Sequence, residues 1–173
     1  MARLLPARVT HLEMTAPPAN RVPTPVGCKL AVMRATDMPL AFYRYLYEQV
    51  GRPHHWQMRR DMKDAALASV IHAKSAEIEI LYANGCPAGF YELDLSRLPN
   101  QAEIEYFGLV REFQGRGLSK FFLSWAIFGA WAHEPRKVII QTNTLDSPRA
   151  LQLYQKMGFE AVGWSEEQIE AWD

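Results

Sequence analysis

The sequence predicts an α/β fold of the α+β type, with a mixed, mostly antiparallel central sheet flanked by helices. Three observations lead to it. Glu77–Tyr82 and Ala88–Leu95 alternate apolar and polar residues on either side of Asn84-Gly85, which is the pattern of an antiparallel hairpin closed by a turn with positive φ. Glu103–Ser119 reads as a strand, a glycine-containing turn and the start of a helix. That helix runs to about Ala132 and is followed by a strand at Val138–Thr142, and a strand–helix–strand connection of this length normally places its two strands parallel.

With 173 residues and 49% hydrophobic content, the chain suffices for one ordinary core. Its 19 basic and 19 acidic residues balance, so no global field favours nucleic acid or an anionic membrane, and neither is expected as a partner. Cys28 and Cys86 lack zinc-ligand spacing and read as reduced packing residues in strands, so no metal is expected. No apolar run reaches membrane-spanning length, and Pro6 and Arg8 break the opening segment too early for a signal peptide, so a cytoplasmic location is the simplest expectation.

Taken in order, residues 1–27 read as an arm with an extra strand at Arg8–Met14, continued by an extended connection through Pro17, Pro18, Pro23 and Pro25. Residues 28–173 form the single domain. Lys29–Arg34 is its first strand. Asp37 is placed to cap a helix over Met38–Val50, with Pro39 in the first turn and Gly51 just past the end. A second helix is expected over Gln57–His72 with Met58, Met62, Ala65, Ala66, Ser69 and Val70 inward.

In the strand from Glu103, alternation sets Ile104, Tyr106, Gly108 and Val110 on one side and Glu103, Glu105, Phe107 and Leu109 on the other. The helix from Gly117 shows an apolar face of Leu118, Phe121, Phe122, Trp125, Phe128, Gly129 and Ala132, and Pro135 ends the pattern. Ser147 and Pro148 start the next helix, Gly158 stops it, and Phe159–Trp164 reads as the last strand. Ser165-Glu166-Glu167-Gln168 has capping-box spacing, which predicts a short acidic helix ending at Trp172.

Gly115 and Gly117 free the turn from Cβ crowding, and the helix they introduce presents its first N–H groups at the positive end of its dipole. Arg111, Arg116 and Lys120 add charge around that terminus, so a phosphate or pyrophosphate is the expected guest. Neither GxxxxGK[ST] nor a full GxGxxG is present. Gln114-Gly115-Arg116-Gly117-Leu118-Ser119 instead resembles the Q/R-x-x-G-x-G/A signature of the GNAT superfamily of N-acetyltransferases, departing only in Ser119. Ser147–Phe159 is similar to that family's second segment, N-x-x-A-x-x-L-Y-x-x-x-G-F, with Ser147 where asparagine is usual. The resemblance covers about Glu103 to Phe159, and less firmly the chain from Leu30 onward.

What the resemblance implies is an acetyl-CoA-dependent N-acetyltransferase. Acetyl-CoA would be the co-substrate, its pyrophosphate held by the N–H groups from Gly115 to Ser119 with Gln114, Arg111, Arg116 and Lys120 nearby. Pantetheine would lie along Leu109 and Val110, whose N–H groups would polarise the thioester carbonyl, and Gly108 would permit a bulge there. Tyr154 stands where the family places the acid that protonates the leaving thiolate; its helical spacing is equally that of a core residue. Glu103 and Glu105 share a side about 7 Å apart along the strand, which would raise at least one pKa toward that of a useful base. The spacing of Glu103 before Gln114 resembles the base of histone-modifying members, which ranks Glu103 above Glu105; both glutamates also suit a plain polar sheet face, and a water chain is the other candidate.

Asn143 follows a strand and is placed either to touch the cofactor or to make a turn. In folds of this family the first helical pair walls the acceptor site, which nominates Tyr43, Tyr45, His55 and Trp56; packing between helices accounts for the tyrosines equally well. The acceptor would be a small-molecule amine, an amino acid or a peptide end. A non-catalytic acyl-CoA-binding regulatory module is the alternative. The family usually closes with a further strand, so the sheet edge left by the predicted acidic tail is assigned to the N-terminal strand or to a second subunit, as in a homodimer.

Overall fold

The computed structural model describes residues 3–173; Met1 and Ala2, where the predicted arm begins, lie outside the described residues. The elements are β1 (Leu4–Met14), β2 (Leu30–Arg34), α1 (Leu40–Gly51), α2 (Asp64–Ile71), β3 (Ala76–Ala83), β4 (Cys86–Asp94), β5 (Ala102–Leu109), α3 (Leu118–Trp131), β6 (Val138–Asn143), α4 (Ala150–Lys156) and β7 (Glu160–Glu170). They build one seven-stranded sheet in the order β2-β3-β4-β5-β6-β1-β7, in which only β5 and β6 run parallel. Among the described residues no helix is long and apolar enough to cross a membrane.

A sheet with two apolar faces must cover both, and each face carries its own core. One is built by Leu81, Tyr91, Leu93, Ile104, Leu109, Val138 and Ile140 against Phe122, Leu123, Ala126 and Ile127 of α3 and Tyr154 of α4. The other packs Ile78, Ile80, Phe90 and Val110 against Tyr43, Leu46, Tyr47 and Val50 of α1 and Leu67 and Ile71 of α2. The α3 face differs from the predicted one. Trp125 is partly exposed and donates its indole N–H to Glu79, while Leu123, Ala126, Ile127 and Ala130 are buried. The segment between β1 and β2 crosses this helix: the Val22 N–H donates to Ser124 Oγ at 3.0 Å, and the Arg21 guanidinium lies over the Phe128 ring at 4.4 Å. An all-round apolar helix is thus covered on two sides, by the sheet and by the proline-rich segment.

Residues Leu4–Met14 are an interior strand. β1 pairs antiparallel with β6 from Val9↔Asn143 to Met14↔Val138 and with β7 from Leu4↔Glu170 to Glu13↔Glu160. Ala7, Val9, Leu12 and Met14 are buried. The edge of β6 is therefore covered from within the chain.

The acidic tail is not a helix: Ser165–Trp172 was assigned one by its capping box, yet residues through Glu170 continue β7. A capping box contributes on the order of 1 kcal/mol, whereas the unpaired edge of β1 offers a whole ladder of hydrogen bonds, so tertiary pairing wins. The second helix is also shorter than Gln57–His72. Gln57–Lys63 is a loop, in which the Arg59 N–H donates to the Tyr47 hydroxyl and Arg44 donates to the Met62 carbonyl.

Asp37 does not cap α1, whose N-cap is Pro39, and Gly51 is its last residue rather than the one beyond. Ser147 lies before α4, whose N-cap is Arg149; its Oγ accepts only a long 3.4 Å bond from the Arg149 N–H. Of the two free cysteines, Cys86 is exposed and does not pack, because it opens β4 beside the turn at Asn84-Gly85.

Candidate active site

β5 and β6 touch only over Ala102↔Val138, Glu103↔Ile139 and Ile104↔Ile140, although each continues beyond that point, to Leu109 and Asn143. Past Ile104 the two strands part, and the sheet opens into a cleft of about 960 Å³. The divergence begins where β5 carries an extra residue: Leu93 faces Ile104 but Glu92 faces Tyr106, which leaves Glu105 unpaired in a bulge. The expected bulge at Gly108 is thus found three residues earlier. Gly108 has a different duty, because a Cβ there would stand 2.3 Å from Val50 Cγ1; its absence lets α1 close on β5.

The bulge also breaks the predicted alternation. Tyr106 joins Glu103 and Glu105 along the cleft wall, and its ring meets Tyr47 and Trp56 with centroids 5.3 and 5.0 Å apart. Downstream, the Val110 N–H donates to Ala88 O at 2.8 Å, so it is not the free donor expected of it. N–H groups alternate sides along a strand, which turns that of Leu109 the other way, toward the opening beside β6. The Leu109 carbonyl accepts from Gln114 Nε2 at 3.1 Å, tying the strand end to the turn that follows.

That turn needs glycine. Gly115 and Gly117 have φ of +72° and +76°, the left-handed region, and Gly117 is the N-cap of α3 without any side-chain capping bond. Among the described residues no acceptor meets the N–H groups of Gly115, Arg116 or Gly117, and the first N–H groups of α3 are unpaired by helix geometry. Gly115, Gly117, Ser119 and Lys120 line the cleft, with Arg149 and Lys156 lining it from the side of α4. A pyrophosphate fits such a set of backbone donors with cations at its rim.

Tyr154 projects from α4 beside Phe107 and Phe159 and lines the same cleft. Its hydroxyl has no hydrogen-bond partner among the described residues, and burial, with a smaller push from the Asp146 carboxylate, holds its pKa above the usual phenol value. Asp146 is itself engaged: Oδ2 accepts from Thr142 Oγ1 at 2.8 Å and from the Asn143 N–H at 2.9 Å, and Oδ1 from Trp56 Nε1 at 3.5 Å. Asn143 makes a turn, its side-chain oxygen accepting from the Leu145 N–H at 2.8 Å, and it also lines the cleft.

Both strand carboxylates reach the cleft, with different partners. Burial and Asp94 raise the Glu103 pKa, and Arg97 and His11 oppose the rise. Glu105 is pushed up to about 7, by burial first and then by Glu92, Glu103 and Asp94, against the pull of Arg59. Arg59 Nη2 donates to Glu105 Oε2 at 3.0 Å, while Nη1 donates to Glu92 and to the Tyr43 hydroxyl.

The cleft therefore brings together Glu103, Glu105, Leu109, Gln114, Gly115, Gly117, Ser119, Lys120, Asn143, Tyr154, His55 and Trp56 of the residues nominated from sequence. The others stand apart from its lining. Val110 and Leu118 have buried side chains in the two cores, and Arg116 turns over the Phe113 ring at 5.3 Å. Arg111 is exposed in the turn after β5. Tyr45 is exposed on the outer face of α1, and Tyr43 is buried, donating to Glu92. His55, in the left-handed region at φ +56°, accepts the Trp172 N–H at 2.9 Å, so its Nδ1 is occupied.

Sequence reasoning missed a site role for Tyr106, Asp146 and Glu92. Glu92 carried a legible sign, as an acid flanked by Phe90, Tyr91 and Leu93 in β4.

The profile of the acetyltransferase (GNAT) family matches residues 36–159. No curated protein matches the chain. Among solved structures it is similar to a GCN5-related N-acetyltransferase from Sphaerobacter thermophilus (17% identity, 96% of this chain and 53% of that one, TM-score 0.62). It is likewise similar to a GCN5-related N-acetyltransferase from Kribbella flavida (13%, 95% and 58%, TM-score 0.60). A third is an aminoglycoside N-acetyltransferase in complex with CoA (20%, 81% and 93%, TM-score 0.59). The chain spans little more than half the length of the first two. A family profile covering most of the chain, on a sheet that splits between its parallel strands, places the protein: it belongs to the GNAT family of acetyltransferases.

Proposed function

We propose that the protein moves an acetyl group from acetyl-CoA to the nitrogen of an amine acceptor. The observation that carries this reading is the split between β5 and β6, which joins an uncapped helix terminus at one end to Glu105 and Tyr154 further along the same cleft. When bound, acetyl-CoA supplies an activated thioester. The N–H groups from Gly115 to Ser119 and the Lys120 ammonium hold its pyrophosphate. The Leu109 N–H, turned into the opening, polarises the thioester carbonyl.

Glu105 takes a proton from the attacking nitrogen, directly or through one water, as the new C–N bond forms. Tyr154, kept protonated by its surroundings, gives its proton to the departing sulfur as the C–S bond breaks. Glu105 is preferred to Glu103 as base because it stands at the bulge, beside Tyr106 and Trp56, and titrates near neutrality. The acceptor end is lined by Glu103, Glu105 and Glu167 with Tyr47, Trp56 and Tyr106, a surface that suits a cationic amine.

Calorimetric titration with acetyl-CoA, with dephospho-CoA as comparison, is expected to show saturable one-to-one binding, and CoA release is expected with amine acceptors. Activity should be lost as pH falls through about 7, because protonated Glu105 accepts nothing further. A kcat/KM profile flat from pH 6 to 8 removes Glu105 as base. Absence of acetyl-CoA binding overturns the whole reading.

Gly117→Val tests the pyrophosphate site separately. No protein atom lies within 4 Å of the added Cβ, so the harm comes from the left-handed φ of +76° and from crowding of the anion. The expected result is at least about a tenfold weaker Kd for acetyl-CoA, about 1.4 kcal/mol, because the free turn relaxes from the strained φ and must recover it to bind. An unchanged Kd would place the pyrophosphate elsewhere.

A further inference from the structure

We infer that Arg59 is a positioning residue: its buried guanidinium, anchored by Glu92 and Tyr43, holds the Glu105 carboxylate in place at the wall of the cleft without itself touching the acceptor. The inference rests on the reading of Glu105 as the base.

Arg59 stands in the loop before α2 and has only 4% of its side chain exposed. Burying a guanidinium is expensive unless every donor direction is answered. Here Glu92, with 1% of its side chain exposed, takes Nη1, and the Tyr43 hydroxyl accepts from the same nitrogen at 2.6 Å while donating to Glu92 Oε2 at 2.8 Å. Glu92 and Tyr43 thus fix Nη1 of the guanidinium before Glu105 is counted. Nη2 then points at Glu105 Oε2, 3.0 Å away. Glu105 keeps 35% of its side chain exposed and so has one oxygen tied and the rest of the carboxylate open to the cleft.

The aim is needed because Glu105 is the bulge residue, with no cross-strand neighbour to hold it. The guanidinium also lies over the Tyr106 ring at 4.8 Å, so one group supports both the carboxylate and the aromatic wall beside it. The planar fork matters. A lysine ammonium in this place is a single point that cannot meet Glu92 and Glu105 in two fixed directions.

Several groups act on Glu105: Arg59 from the loop, Glu92 and Asp94 from β4, and Glu103 and Tyr106 from β5. Arg59 is the only cation among them, and its pull toward the ionised form is larger than the opposing push of Glu92.

Arg59→Met alone leaves Glu92 buried and unpaired, so the test uses Arg59→Met combined with Glu92→Gln, which neutralises the buried pair. The first readout is the titration of the Glu105 carboxyl carbon by NMR in the free protein; the second is kcat/KM against pH, with Kd for acetyl-CoA alongside. Wild type should titrate near 7, and the double variant about one pH unit or more higher. Its kcat/KM at pH 7 should fall about fivefold or more, following the lost ionised fraction, with Kd for acetyl-CoA unchanged. Arg59→Lys should fall between the two.

A folded double variant whose carboxyl midpoint and activity limb stay where wild type has them overturns the inference. So does a crystal structure of the wild type above pH 7 with Glu105 turned away from Arg59. If wild type fails to bind acetyl-CoA the acetyl-transfer reading fails, and the NMR titration still decides whether Arg59 holds Glu105.

Discussion

Tyr154→Phe is expected to lower kcat by about a hundredfold, the lower range for loss of a positioned general acid, while Kd for acetyl-CoA stays within about twofold. The separation follows from where the hydroxyl stands. It has no hydrogen-bond partner among the described residues, so removing it breaks no structural bond and leaves no orphaned group. The ring keeps its contacts with Phe107 and Phe159, at centroid distances of 6.5 and 6.3 Å. The variant should therefore melt within a few degrees of wild type and bind the cofactor normally. It loses only the proton offered to the departing sulfur. Stopped-turnover and calorimetric measurements on the same preparation check both halves, and equal kcat in the two proteins would remove the acid role.

Leu12→Ala is expected to destabilise the fold by about 2–5 kcal/mol, measured as a fall in the denaturation midpoint, because it opens a cavity in a close-packed core. Leu12 is 1% exposed and lies in β1 between β6 and β7. Leu4→Ala in the same strand, at 57% exposure, should change stability by no more than about 0.5 kcal/mol. Deleting the chain as far as Met14 should prevent folding, since β7 would lose its only ladder and β6 one of its two. A dispensable arm predicts the reverse, a stable domain after deletion.

Strands β3, β4 and β5, the helix after Gly117 and the turn before it could be read from the chain because their signals are local. Alternation, Asn84-Gly85 and the two glycines of the motif each act on their own few residues. The end of the cleft proposed to hold the cofactor was legible for the same reason: its donors are backbone groups of one contiguous segment. Tyr106 escaped because a bulge, one residue long, reversed the face of everything in β5 after Glu105. Composition and period say nothing of where a ladder slips.

By itself the sequence determined the α/β class, the hairpin, the glycine turn with its helix, and the family to which these belong. Only the tertiary structure decided that Ser165–Glu170 extends as strand rather than coiling as helix, that β1 is interior, and that Arg59 meets Glu92 and Glu105. Local preferences differ by about 1 kcal/mol or less per residue and are set by near neighbours. A vacant strand edge or a buried carboxylate outweighs them, and each is supplied by residues far away in the chain.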